Sequence, residues 1–158
     1  MRLGVLRFTI ITLALTLSSA APLFAQEKQT SFSGGISGRE LCEQAVCGSA
    51  IFVAAFAGQI DARPAAGLAI GSIRHTTLPT KLGDCATIVG GSWSISTLRQ
   101  TLSGSVEPGG TVCYINGVQF QVSLTMNIGQ DGSEGHAELN VILDHGPFPP
   151  TVKGTITQ

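Results

Sequence analysis

Three histidines, His75, His136 and His145, and one neighbouring carboxylate, Asp144, are the side chains of this sequence best suited to chemistry. Two imidazoles and a carboxylate make a donor set for a transition-metal ion. His75, His145 and Asp144 are therefore the candidate centre of a metal-dependent enzyme. The spacing works against that centre. Asp144 and His145 are adjacent, and neighbours on a strand point to opposite faces, so they converge only if the chain turns there, which Pro147 permits. The competing reading makes both histidines polar residues at strand ends, hydrogen-bonded to loop carbonyls. Trp93 and Tyr114 offer rings that could stack on a sugar or another ligand. With His75 and His145 they form the candidate ligand-binding set.

Other chemistries find less support. Residues 130–135 carry oxygen atoms for calcium but lack the acidic positions and final bidentate Glu of an EF-hand loop, and read as a solvated turn. There is no Gly-x-Ser-x-Gly elbow, no phosphate-binding glycine loop with its lysine, and no dinucleotide fingerprint. The sequence thus designates no catalytic residue, no metal ligand set of recognised spacing and no cofactor. Acid–base and nucleophilic mechanisms need paired groups. With titratable residues this sparse, a non-catalytic binding module is favoured over an enzyme.

These residues must be carried by strands. From Ala50 onward the apolar period is two. The clearest run is 118–128, where Val118, Phe120, Val122, Leu124, Met126 and Ile128 share one face and Gln119, Gln121, Ser123, Thr125 and Asn127 the other. Residues 138–144 and 151–157 repeat the alternation, as does the segment around Trp93 and Ile95. Asn116-Gly117 suits a type I′ turn, and Gly90-Gly91 marks a bulge or a close backbone approach. Turn signals recur near 62–64, 82–84, 108–110, 116–117, 131–135 and 146–150. About eight mostly antiparallel strands follow, in an all-β barrel or sandwich. An internal echo suggests two pseudo-repeated halves: Gly58, Gln59, Asp61, His75 and Pro79 recur as Gly129, Gln130, Asp131, His145 and Pro149. Ser37 and Glu40 match a capping box, predicting a short helix over 38–45.

All four cysteines, Cys42, Cys47, Cys85 and Cys113, lie beyond the N-terminal segment. Their even number in a secreted chain points to two disulfides, for which sequence alone allows three connectivities. Cys85 opens one predicted strand and Cys113 lies two strands later. That placement predicts a Cys85–Cys113 bridge across a curved sheet, leaving Cys42 with Cys47 in a bent, non-helical segment.

The first 25 residues read as a signal peptide: Arg2 and Arg7 precede an apolar run over 8–17, and small residues lead to cleavage after Ala25, with Ala20 the second choice. A flexible leader and the short helix occupy 26–45, and a single β domain 46–158. Loss of the two arginines takes the net charge from −1 to −3. Neither charge state carries the basic signature of a nucleic-acid-binding domain. At 158 residues with 43% hydrophobic and 12% charged side chains, the chain is a single folded domain and not a disordered one. No run beyond the leader is long enough to span a bilayer as a helix. The sequence therefore describes an exported, periplasmic or extracellular β module. It would bind a small ligand, a polymer or a cell-envelope partner.

Overall fold

The computed structural model describes residues 29–129 and 132–158. The signal peptide expected at 1–25 and the Gln130-Asp131 pair of the echoed turn lie outside the described residues. Nine strands and one helical turn follow in order: β1 (Phe32–Cys42), α1 (Gln44–Cys47), β2 (Ala50–Ile60), β3 (Arg63–His75), β4 (Cys85–Thr97), β5 (Thr101–Val106), β6 (Thr111–Asn116), β7 (Gln119–Ile128), β8 (Gly135–Asp144) and β9 (Thr151–Thr157).

Each strand pairs antiparallel with its neighbours in a closed sheet. The architecture is a barrel and not a sandwich. It has eight positions for nine strands. Both β5 and β6 run antiparallel to β4, β5 along residues 91–96 and β6 along 85–87, so they follow one another along a single lane. The break between them spans residues 107–110, where Gly109 N donates to Ile88 O and Ile88 N to Gly110 O. Closure removes free sheet edges and turns one face of every strand inward.

The inward rows follow the alternation. On β7, Phe120, Val122, Leu124, Met126 and Ile128 are buried, while Gln119, Gln121, Ser123 and Thr125 face out. Ser123 and Thr125 donate hydrogen bonds to Asn140 and Glu138 on the outer face of β8. Gly90 has φ 138°, and the partner of Arg74 is Gly90 whereas that of His75 is Ile88, leaving Val89 as the extra residue of a bulge.

Three local expectations are corrected. Residues 38–45 are not a helix. Most of them belong to β1, which pairs with β2 on one side and β9 on the other. The helix is the single turn Gln44–Cys47, and no side chain caps it. Two full ladders of backbone hydrogen bonds outweigh the local gain of a capping box. Much of the presumed leader is likewise strand from Phe32. The tight turn with two left-handed residues lies at Asp61-Ala62 (φ 49° and 60°), between Ile60 and Arg63, and not at Asn116-Gly117. There Asn116 Oδ1 instead accepts from Val118 N, an Asx-type contact that holds the turn without positive φ.

Both disulfides form as the strand positions predicted. Cys85 and Cys113 are directly opposed on β4 and β6. Cys42 ends β1 and reaches Cys47 at the end of α1, with 6.1 Å between their Cα atoms. The one-turn helix corrects the expectation of a non-helical link. It is short enough, and Cys42 lies outside it, so the pair can still bridge.

Candidate functional site

β1 presents Phe32, Gly34, Ile36, Gly38 and Glu40 to the interior, opposite the inward residues of β2. Glu40 is the last of this row and the only buried charged or polar side chain of the core, 3% exposed among the described residues. A register shift just beyond it makes Leu41 an extra residue, turned outward and exposed. Glu40 N donates to Pro150 O at 2.9 Å, tying the site to the loop before β9.

His145 follows β8 directly. Its backbone N–H donates to Val118 O at 2.7 Å, and its ring tilts against Phe120 at 5.4 Å. This places His145 Nε2 3.0 Å from Glu40 Oε2. The two atoms lack the alignment of a hydrogen bond, and each is buried without a well-directed partner among the described residues. Burial pushes the Glu40 carboxyl up to about 7, and the charge of Glu43 adds to the effect. A carboxyl in this state holds its proton near neutrality and is sensitive to whatever enters beside it.

His75 closes the opposite side of the same rim. Gln44 of α1 grips its backbone through two bonds of 2.7 Å, one from Gln44 Nε2 to His75 O and one from His75 N to Gln44 Oε1. His75 Nδ1 donates to Thr76 O at 2.5 Å, since a carbonyl only accepts. In the neutral ring, Nε2 is then left as an acceptor. Glu40, Glu43, His75, His145, Thr76 and Leu78 all border one cavity of about 230 Å³ at this end of the barrel. None of its lining residues is Lys or Arg.

A second cavity of about 80 Å³ lies inside the barrel. Its space comes from the inward row of β3, where Ala69 and Gly71 face the larger Phe52, Trp93 and Leu124. The outward row of β3 carries the larger Leu68 and Ile70, both 48% exposed. Small residues inside and large ones outside reverse the usual order and leave the barrel underfilled along this strand. The two cavities share Phe52, Ile73, Val122 and Leu143 as walls.

The four sequence-designated ligand residues therefore separate. His75 and His145 meet at the rim. Trp93 lies deeper, 7% exposed, lining the inner cavity with its Nε1 donating to Asn127 O at 3.0 Å and its ring stacked on Phe32 at 5.3 Å. Tyr114 lines neither cavity and packs edge-on against Phe120. Asp144 does not join the histidines. It accepts from Gln119 Nε2 and Gly146 N, and these bonds, with the nearby His145, hold its carboxyl below the usual carboxylate range. Among the described residues, His75, His145 and Asp144 do not form a metal-binding group. His136 stands elsewhere, on the outer face, between Glu107 and Asn127.

Glu40 is the site residue that the sequence reading missed. Its signal was present as period-two alternation of Phe32, Gly34, Ile36, Gly38 and Glu40 against Ser33, Gly35, Ser37 and Arg39, masked by the glycines. Comparisons with protein-family models, with curated proteins and with solved structures each find no match for this chain.

Proposed function

We propose that this protein is an exported, non-catalytic β-barrel that holds a small, largely apolar molecule in its interior. The underfilled inner cavity carries the reading. It is walled mostly by apolar side chains and shares Phe52, Ile73, Val122 and Leu143 with a roomier cavity at one end of the barrel. Eight-stranded barrels have an interior just wide enough to be packed or to admit one small ligand. Two disulfides fit an oxidising compartment outside the cytoplasm. Among the described residues no helix is long and apolar enough to cross a membrane. The echoed hairpins β2–β3 and β7–β8 fit the pseudo-repeated halves suggested by the sequence. They stand four positions apart in the eight-position barrel and bring His75 and His145 to opposite sides of one rim.

Judged by cavities that hold benzene, the two spaces together suit a ligand of about ten non-hydrogen atoms. Trp93 is the single tryptophan and lines the inner cavity, so its emission reports entry. Titration with p-xylene and with 1-hexanol should shift Trp93 fluorescence saturably. Gly71→Val should abolish the response while preserving the fold, because a Cβ at Gly71 meets only Ser92 O, at 3.8 Å, and further atoms would enter the cavity. An unchanged spectrum with both ligands, or an equal response in the variant, would overturn the proposal.

A further inference from the structure

The end of the barrel has a chemical character of its own, and it limits what the ligand can carry there. This rim carries two acids and an imidazole acceptor, while the Gln44 amide is taken up by the His75 backbone. Glu40 and Glu43 are acids, and His75 Nε2 is an acceptor because Nδ1 donates to Thr76 O. Glu40 borders the cavity, and its Oε2 is buried 3.0 Å from His145 Nε2 with no aligned donor among the described residues. The nearest arginine on β1, Arg39, faces outward, where it donates to Pro149 O. A buried carboxylate without an aligned donor is costly, and His145 Nε2, although 3.0 Å away, does not supply one in this geometry.

We propose that the barrel's ligand is a hydrophobic amine, its ammonium seated in the rim cavity against the Glu40 carboxyl and its apolar body in the inner cavity. This inference rests on the interior-binding reading above and adds the class of head group. An ammonium brings three donors and no acceptor, which matches the rim. A carboxylate or phosphate head would instead meet two acidic side chains with no lining Lys or Arg to offset them. Seating the ammonium favours ionised Glu40, so binding below neutrality must first remove the carboxyl proton. Glu43 before α1, His75 at the end of β3 and His145 after β8 face the same space.

Calorimetric titration with hexylamine, 1-hexanol and hexanoate tests this with one alkyl length and three heads. At pH 8, hexylamine should bind at least tenfold tighter than hexanol, and hexanoate weakest. At pH 5, hexylamine, still fully protonated, should lose at least tenfold in affinity while hexanol stays within twofold. Glu40→Gln should bring hexylamine to the level of hexanol and leave hexanol unchanged. The pH comparison uses the unaltered protein, so a Glu40→Gln variant that fails to fold leaves the test intact. If hexanol binds and hexylamine binds no better, or hexanoate binds best, the amine assignment is wrong while the apolar-interior reading stands. If none of the three binds, both fall.

Discussion

Glu40 gives the protein a pH dependence that can be written down from one residue. Its carboxyl lies at about 7 in the folded state against an ordinary 4.5, raised first by burial and then by Glu43. Between those two values the folded chain keeps a proton that the unfolded chain has released. The stability that this group contributes is thus fully present below about pH 4.5 and lost as pH rises towards 7, with no further change above. Urea denaturation of wild-type and Glu40→Gln protein from pH 4 to 8 isolates this contribution. The variant should gain on the wild type steadily from pH 4.5 to 7 and be the more stable of the two at pH 8, because its neutral amide carries no buried charge. Parallel curves for the two proteins would show that Glu40 ionises as an exposed carboxyl does. His145 occupies its place for a different reason. Its backbone bond to Val118 and its contact with Phe120 fix the ring beside Glu40 without an ideal bond.

At the scale of the element, β7 is specified by alternation and β1 by its neighbours. Leu124 is 3% exposed and lines the inner cavity, whereas Thr125 one residue later bonds Glu138 on the outer face. Leu124→Ala should therefore cost about 2–5 kcal/mol, a buried large-to-small change that enlarges an existing void. Thr125→Ala should cost about half a kcal/mol or less. Thermal or urea denaturation separates the two, and equal losses would mean that the register is wrong by one residue. β1 works differently. A Cβ built on inward-facing Gly38 would come within 2.4 Å of Ala54 Cα and closer still to Val53 O. The glycine there lets β1 and β2 coil tightly past each other, which a larger residue would prevent. The same substitution of glycine for apolar residues dilutes the alternation that would identify β1 as a strand.

For the whole molecule, the two disulfides clasp the same end of the barrel that bears the rim site. Cys85–Cys113 closes a loop with a sequence separation of 28 and joins two adjacent lanes. Cys42–Cys47 spans only 5 and anchors α1, whose Gln44 grips the backbone of His75. In the chain-entropy model the first contributes roughly 3–4 kcal/mol and the second about 2. Replacing both members of each pair by serine should reproduce that order in denaturant midpoints. Loss of Cys42–Cys47 should in addition loosen the rim, seen as faster amide exchange at His75, whose N–H is held by Gln44. A larger stability loss from the short bridge than from the long one would contradict the loop-length account.

Much of this protein was determined by its sequence. The all-β class, the inward row of β7, the strands at 138–144 and 151–157, the bulge near Gly90 and both disulfide pairings follow from period-two patterning, turn residues and cysteine placement. These are local or nearly local properties, because a strand buried on one face writes that face into every second residue. Three features needed the tertiary structure. Closure into a barrel rests on pairing β1 with β9, residues more than a hundred positions apart, and alternation is the same in a sandwich. The strand character of residues 32–42 comes from ladders on both sides, which override a local helix signal and a glycine-rich composition. The rim site exists only through closure. Glu40, His75 and His145 lie on β1, at the end of β3 and just after β8, and no spacing along the chain encodes their meeting. Sequence periodicity reports which face a side chain occupies; distance across the barrel depends on how the strands close.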